Sequence, residues 1–377
     1  MRVLIDATPL FPLRSNIGPT GVGRWTTGAI AALARLEPEW QLDFVIPSNS
    51  PPVQEISWMG PNVHFRVVRF PSRPYRLLRH LRALPPMEWI VGPADVVLGT
   101  NYIPMPALRA AEIPIVYDLS FIHHSETVSR RHLYFLRGVL PRVLRRAPRV
   151  ITISETIKAE IAAHYGVDKE LIHVVTPGCD LDRFNGDPML GETIPELPER
   201  YLLFVGTLEP RKNLRGLLKA YAILRNELPD APPLVLAGGV GWRVRDLLDD
   251  LRAVAPGQVI SLGYVPDRLI PALYARATAL VFPSFYEGFG LPALEAMASG
   301  CPVIGGDRSA IPEVLGDCGL LVDPYDSASI AAAMNRILED ASLRAQLSER
   351  GRNRARSFTW ERTGRELRDV LALATGR

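Results

Sequence analysis

SFYEGFGLPALEAMASGCPVI (residues 284–304) sets Glu287 and Glu295 eight residues apart around a glycine-rich turn. ALVFPS (279–284), which leads into it, is a short apolar strand that stops at Pro283. After the turn, residues 291–299 form a helix, with Pro292 near its first position and Gly300 just past its end. Strand, tight turn and helix in that order make the repeating unit of a doubly wound parallel sheet. Gly288 and Gly290 permit positive φ and, with Phe289 and Leu291, bring backbone close to a ligand. The helix start adds unpaired N–H groups and the positive end of a dipole, so an anion can be held without a lysine. Glu287 precedes the helix and Glu295 lies about one turn inside it, so the carboxylates reach different depths of one pocket. Two glutamates at arbitrary spacing are ordinarily solvated surface groups. Set between an apolar strand, two glycines and an apolar helix, this pair reads as a site for a phosphorylated, hydroxyl-rich ligand.

Outward from this unit, strands and helical stretches alternate through most of the chain. RVLIDAT (2–8), LDFVIP (42–47), VHFRVV (63–68), DVVLGT (95–100), PIVYDL (114–119), RVITIS (149–154) and HVVTPG (173–178) read as strands of a first domain. A strand-poor, proline-rich segment follows. The pattern restarts with YLLFVGT (201–207), PLVLAGG (233–239), VISLGYV (259–265), ALVFPS, PVIGGD (302–307) and GLLVDP (319–324). The expected fold class is α/β, with two Rossmann-like doubly wound parallel-sheet domains: residues 1–178, a linker at 179–198, and residues 199–358. FTWERTGRELRDVLALA (358–374) carries a helical apolar pattern.

Composition agrees. At 377 residues, 47% hydrophobic and 22% charged, the chain is globular and long enough for two cores. It holds no run of about 18 apolar residues, the length a spanning helix needs. Asp6 interrupts the apolar N-terminus, which reads as a first strand and not a signal peptide, so a cytoplasmic location is expected. Cys179, Cys301 and Cys318 are odd in number and lack C-x-x-C spacing, which argues against a disulfide framework and a zinc site. A net charge of +3 and no recognition module argue against nucleic acid as a partner. The D-L-D string at Asp180 to Asp182 falls in the linker and not at a strand end, so it is not read as a metal site.

Four further segments carry candidate chemistry. In VGTLEPRKNLRGLLKAYAIL (205–224) a strand passes through a polar turn into an amphipathic helix, and Arg211 and Lys212 in that turn suit a diphosphate. GPTGVGRWTTG (18–28) places Gly21 and Gly23 between the first strand and a helix. IVYDLSFIHHSE (115–126) offers Tyr117, Asp118, His123 and His124. Arg76, Arg79 and Arg82 line one face of residues 74–84, and residues 130–149 hold seven arginines and no acid. Such basic helices fit an anionic membrane surface or the phosphate of a lipid-linked acceptor, against the plain reading of solvated faces in an arginine-rich protein.

E-x7-E followed by G-x-P-V-I (300–304) resembles the signature of the family 4 retaining glycosyltransferases, whose GT-B fold sets two Rossmann-like domains face to face across a cleft. The resemblance implies a C-terminal helix, residues 359–377, crossing back to the N-terminal, acceptor-side domain. It implies that Lys212 of E-P-R-K-N matches the family lysine of the diphosphate loop, and that Tyr264 and Val265 meet the nucleotide base through backbone. Gly21 and Gly23 would approach the donor phosphates, Glu287 the sugar hydroxyls and Glu295 the ribose. Two positions depart from the family pattern: Thr207 stands where many members carry an arginine, and Tyr117 stands where relatives have histidine beside the reacting carbon.

The expected activity is that of a retaining, metal-independent hexosyltransferase without a resident cofactor. It would move a sugar from a nucleotide-sugar co-substrate to a glycan or lipid-linked acceptor, in cell-surface polysaccharide assembly at the inner face of the membrane. The E-P-R-K-N form resembles mannosyltransferases and favours GDP-mannose, with a UDP- or dTDP-sugar as the alternative. A non-catalytic sugar-nucleotide-binding subunit is a second alternative, on account of Tyr117. A dinucleotide oxidoreductase is disfavoured because GPTGVGR matches G-x-G-x-x-G poorly. A phosphorylase-like enzyme would need a pyridoxal lysine, and only four lysines exist.

Overall fold

The computed structural model describes residues 1–10, 20–47, 60–69, 78, 85–125, 130–187, 197–239, 241 and 258–376. The chain divides into two compact units, Met1–Gly178 with Trp360–Arg377, and Cys179–Thr359.

The first unit is a seven-stranded parallel sheet. Its strands are β1 (Arg2–Asp6), β2 (Gln41–Pro47), β3 (Val63–Val68), β4 (Val96–Gly99), β5 (Ala111–Val116), β6 (Val150–Thr152) and β7 (Ile172–Val174), in the order β3-β2-β1-β4-β5-β6-β7. Each expected strand of this domain is present. β4 and, past Arg2, β1 are buried throughout, as their apolar runs require when helices cover both faces. Leu4, Val45, Val68, Met87, Val97 and Met105 form one core cluster on this sheet. Among its helices are α1 (Gly21–Leu36), α2 (Met87–Val91), α3 (Ser120–His123), α4 (Arg130–Arg146) and α5 (Glu155–Tyr165). Ser154 caps α5 through Ile157 N, and Gly166 ends it in the left-handed conformation, φ 67°.

The second unit is a six-stranded parallel sheet. β8 (Leu202–Val205), β9 (Leu234–Ala237), β10 (Val259–Gly263), β11 (Ala279–Phe282), β12 (Val303–Gly306) and β13 (Leu320–Val322) lie in the order β10-β9-β8-β11-β12-β13. Again each expected strand is present. The helices described around it are α6 (Leu214–Glu227), α7 (Ile270–Arg276), α8 (Leu291–Ala298), α9 (Ile311–Leu315), α10 (Ser327–Glu339) and α11 (Ala341–Ala355).

The last helix, α12 (Trp360–Thr375), belongs to the first unit and lies on α1. Thr363 Oγ1 donates to Thr176 O at 2.6 Å, and Glu366 accepts from Thr176 N at 2.7 Å. The helices approach closely because Gly364 has no side chain: a Cβ there would lie 2.8 Å from Ala32 Cβ and 3.2 Å from Leu33 N. Backbone cannot yield as a flexible side chain would, so Gly364→Ala is expected to destabilise the unit by about 1–3 kcal/mol. In a thermal melt each kcal/mol lowers the midpoint by about 2–4 °C for a domain of this size. An unchanged midpoint would refute the tight contact.

Candidate active site

In the second unit the strand order reverses between β8 and β11, which are neighbours although β9 and β10 intervene in sequence. Open α/β sheets bind ligands at the carboxyl ends of strands at such a switch point. From β8 the chain passes Gly206, at φ 146°, and Thr207, which is exposed, into a 3₁₀ turn, Pro210–Lys212. Asn213 follows in the left-handed conformation and caps α6 by accepting from Gly216 N. From β11 the chain runs through Pro283 to Gly290, whose φ of 108° opens α8 with no side chain capping it. The two turns meet where Phe285 N donates to Arg211 O at 3.0 Å.

Glu287 is held between the two cations. Lys212 Nζ donates to its Oε1 at 2.5 Å, and Arg211 Nη1 to its Oε2 at 3.2 Å. Arg211 Nη1 also donates to Tyr286 O at 2.8 Å, while its Nη2 reaches Glu209 Oε1 at 2.8 Å. Lys212 further lies over the Phe282 ring, 4.9 Å from its centre. Glu209, Lys212 and Glu287 are all buried. Two acids and two bases thus cancel in a site where any one left alone would be strongly unfavourable. Burial pushes the Glu287 carboxyl up, but Lys212 and then Arg211 outweigh it and hold its pKa below the ordinary 4.5.

The Glu287 backbone is fixed separately. Its N–H donates to Ser309 Oγ at 3.2 Å, and Ser309 Oγ donates to Glu287 O at 2.5 Å. Ser309 adopts φ 56°, a conformation that a residue with a Cβ holds only when its surroundings impose it. Glu209 and Ser309 were missed by sequence reasoning. Glu209 had a legible signal, an acid two residues ahead of Arg211 in E-P-R-K-N, whereas Ser309 lies on another loop with no local cue.

Glu295 is buried on α8, where its Oε2 accepts from Tyr274 OH at 3.3 Å. Tyr274, on α7, is fully buried and packs edge-on against Phe184. Sequence reasoning assigned Tyr274 no role. Of the remaining donor-side candidates, Gly288 is buried and Leu291 half-buried at the start of α8. Phe289 packs edge-on against Phe358. Beyond β10, Tyr264 is exposed and Val265 buried.

In the first unit one expectation is corrected. Gly21 and Gly23 lie in the first turn of α1 and not in a loop before it. Thr20, in extended conformation, accepts from Gly23 N and so starts the helix at Gly21. Tyr117 follows β5 and is 5% exposed, its ring edge-on to Trp25 at 5.7 Å and to Tyr102 at 6.5 Å. Burial pushes the pKa of its hydroxyl up, against a smaller opposing effect of Thr26 beside it, so it is a neutral phenol. Asp118 accepts from Tyr102 OH at 3.0 Å and from Ser120 N and Oγ at the start of α3. His123 Nε2 lies 3.3 Å from Glu160 Oε2 on α5, and His124 closes α3 by donating its N–H to Ser120 O. On α4, Arg137, Arg142, Arg145 and Arg146 are exposed. Arg76, Arg79 and Arg82 lie outside the described residues. Among the described residues no helix is long and apolar enough to cross a membrane.

Sucrose-phosphate synthase from Thermosynechococcus elongatus superposes with a TM-score of 0.77 at 21% identity, over 98% of both chains. HepE of Anabaena in complex with UDP-glucose superposes with a TM-score of 0.70 at 17% identity, over 98% of this chain and 99% of that one. At these identities the likeness establishes the fold, which is GT-B. Sequence likeness goes further. Residues 19–183 match the model described as Glycosyltransferase Family 4, and residues 192–354 that described as Glycosyl transferases group 1. O-antigen chain mannosyltransferase B of Escherichia coli is 34% identical over 96% of this chain and 97% of its own length. The chain belongs to glycosyltransferase family 4.

Proposed function

We propose that the protein transfers mannose from GDP-mannose to a growing cell-surface glycan with retention of anomeric configuration. The observation that carries this reading is the Lys212–Glu287–Arg211 cluster at the β8/β11 switch point. The full-length likeness to an O-antigen mannosyltransferase supports the choice of sugar and acceptor class. Breaking the bond between sugar and diphosphate builds negative charge on the leaving group. Arg211, Lys212 and the uncapped start of α8 supply positive charge already oriented by the fold, so little reorganisation is required as the charge develops. That assignment places charge stabilisation on protein groups and calls on no metal. Glu287, ionised and buried, binds sugar hydroxyls, and Glu295 binds the ribose. In the same-face attack usual for retaining transferases, the leaving phosphate accepts the acceptor's proton, so no protein nucleophile is needed.

Incubation with GDP-mannose, UDP-glucose and a dTDP-sugar, with and without lipid-linked mannose glycans, tests the reading. GDP release that rises with acceptor, and an α-linked product by NMR, are expected. Nucleotide binding without turnover for every donor would overturn it in favour of a binding subunit.

The Tyr274 contact carries a prediction about the donor. The hydroxyl orients Glu295, so Tyr274→Phe is expected to raise donor KM about 3–10-fold with little change in kcat, as loss of one hydrogen bond to a charged group implies. Glu295→Ala should raise KM further, and Tyr274→Phe should then add nothing. Additive losses would show that Tyr274 acts elsewhere.

A further inference from the structure

Beyond Glu287, on the side of the sheet away from β9 and β10, the ends of β11, β12 and β13 bring together an exposed aromatic and charged cluster. Tyr325 stacks on Phe285 with ring centres 4.6 Å apart and planes 28° from parallel, yet the tyrosine is 63% exposed. The Arg308 guanidinium lies over the Tyr325 ring, 5.3 Å from its centre, and within 3.6 and 3.7 Å of Asp307 and Asp323 carboxylate oxygens. All three charged side chains are about half exposed.

This cluster is built into the site. Ser309, next to Arg308, hydrogen-bonds the Glu287 backbone. Pro324 O, next to Tyr325, accepts from Asn213 Nδ2, adjacent to Lys212. Phe285 N is bonded to Arg211 O. Gly306 allows the loops to close together, since a Cβ there would lie 2.7 Å from Ser284 O. The platform is therefore held in fixed register with the groups assigned to the donor sugar and diphosphate.

We infer that Tyr325, Arg308, Asp307 and Asp323 form a subsite for a neutral pyranose ring of the acceptor glycan. An aromatic face packs against the weakly positive C–H face of a sugar, as it does against other positive edges. Guanidinium and carboxylate groups at its border supply donors and acceptors for vicinal hydroxyls. The two acids outnumber the single base, which disfavours a phosphate or another anion.

The assignment to the acceptor rests on the transferase reading; the binding of a sugar ring does not. Titration of mannotriose into the full-length protein by saturation-transfer NMR tests it. Tyr325→Ala is expected to weaken mannotriose binding at least 10-fold, Tyr325→Phe to leave it within 2-fold, and Arg308→Ala to weaken it several-fold. GDP affinity should be unchanged in all three. No mannotriose binding by the wild type, equal binding by Tyr325→Ala, or a matching loss of GDP affinity would each overturn the proposal. Wild-type turnover of GDP-mannose separates the two failures. Turnover with an acceptor KM that Tyr325→Ala leaves unchanged removes the subsite alone. Tyr325-dependent mannotriose binding without turnover of any donor removes the transferase reading and its acceptor assignment, and leaves a sugar-binding site.

Discussion

Lys212→Ala is expected to lower kcat by about 10²–10³-fold, the range for removing one preorganised stabiliser of transition-state charge. Lys212 is buried, braced by the Phe282 ring and aimed at Glu287, so solvent does not readily replace its charge. Its removal also leaves Glu287 and Glu209 to share Arg211 alone. Burial then pushes the Glu287 carboxyl up with less to oppose it, so part of the loss should appear as a lower fraction of ionised Glu287 at mildly acidic pH. Steady-state rates at saturating donor, measured from pH 5 to 8, check both parts. A wild-type rate would remove Lys212 from the chemistry.

Glu287→Gln is expected to lower kcat by about 10²-fold, through loss of the proposed charged anchor for the sugar and of the restraint on Arg211 and Lys212. The two effects are not independent. Because the side chains touch at 2.5 Å, the double variant with Lys212→Ala should lose clearly less than the product of the single losses. Losses that simply multiply would show that the pair does not act as a unit.

The same substitution has a pH signature. A carboxyl whose pKa is lowered in the folded state adds stability that is complete above its unfolded value, near 4.5, and fades as pH falls through the lowered folded value. Glu287→Gln should therefore flatten the loss of stability on acidification below that point. A denaturation series from pH 7 to 3 on both proteins measures it, and parallel curves would contradict the lowered pKa.

How far the sequence reached differs from element to element. ALVFPS and the 291–299 helix were legible because a strand's apolar run and a helix's proline and glycine punctuation are local properties. The thirteen described strands were legible for the same reason. Gly21 and Gly23 were misplaced because Thr20 in extended conformation starts α1 one residue ahead of the first glycine, and a G-x-G string does not show which side of a helix start it occupies. Glu287, Arg211 and Lys212 were each nominated from their own turns, as separate groups with separate tasks. That Glu287 bonds both cations follows only from β8 lying beside β11.

By itself, then, the sequence determined two doubly wound sheets, the turns that hold the candidate residues and the family they resemble. These depend on periodicity and on residues within one turn of each other. Tertiary structure decided which turns meet: Lys212 with Glu287 across 75 positions, Ser309 with Glu287 across 22, Tyr274 with Glu295 across 21. It also brought Tyr325 onto Phe285, which no local pattern announces. The physical reason is that strand order in a parallel sheet is set by long crossovers, each burying its own helix, and the groups at the strand ends become neighbours only once that order is complete.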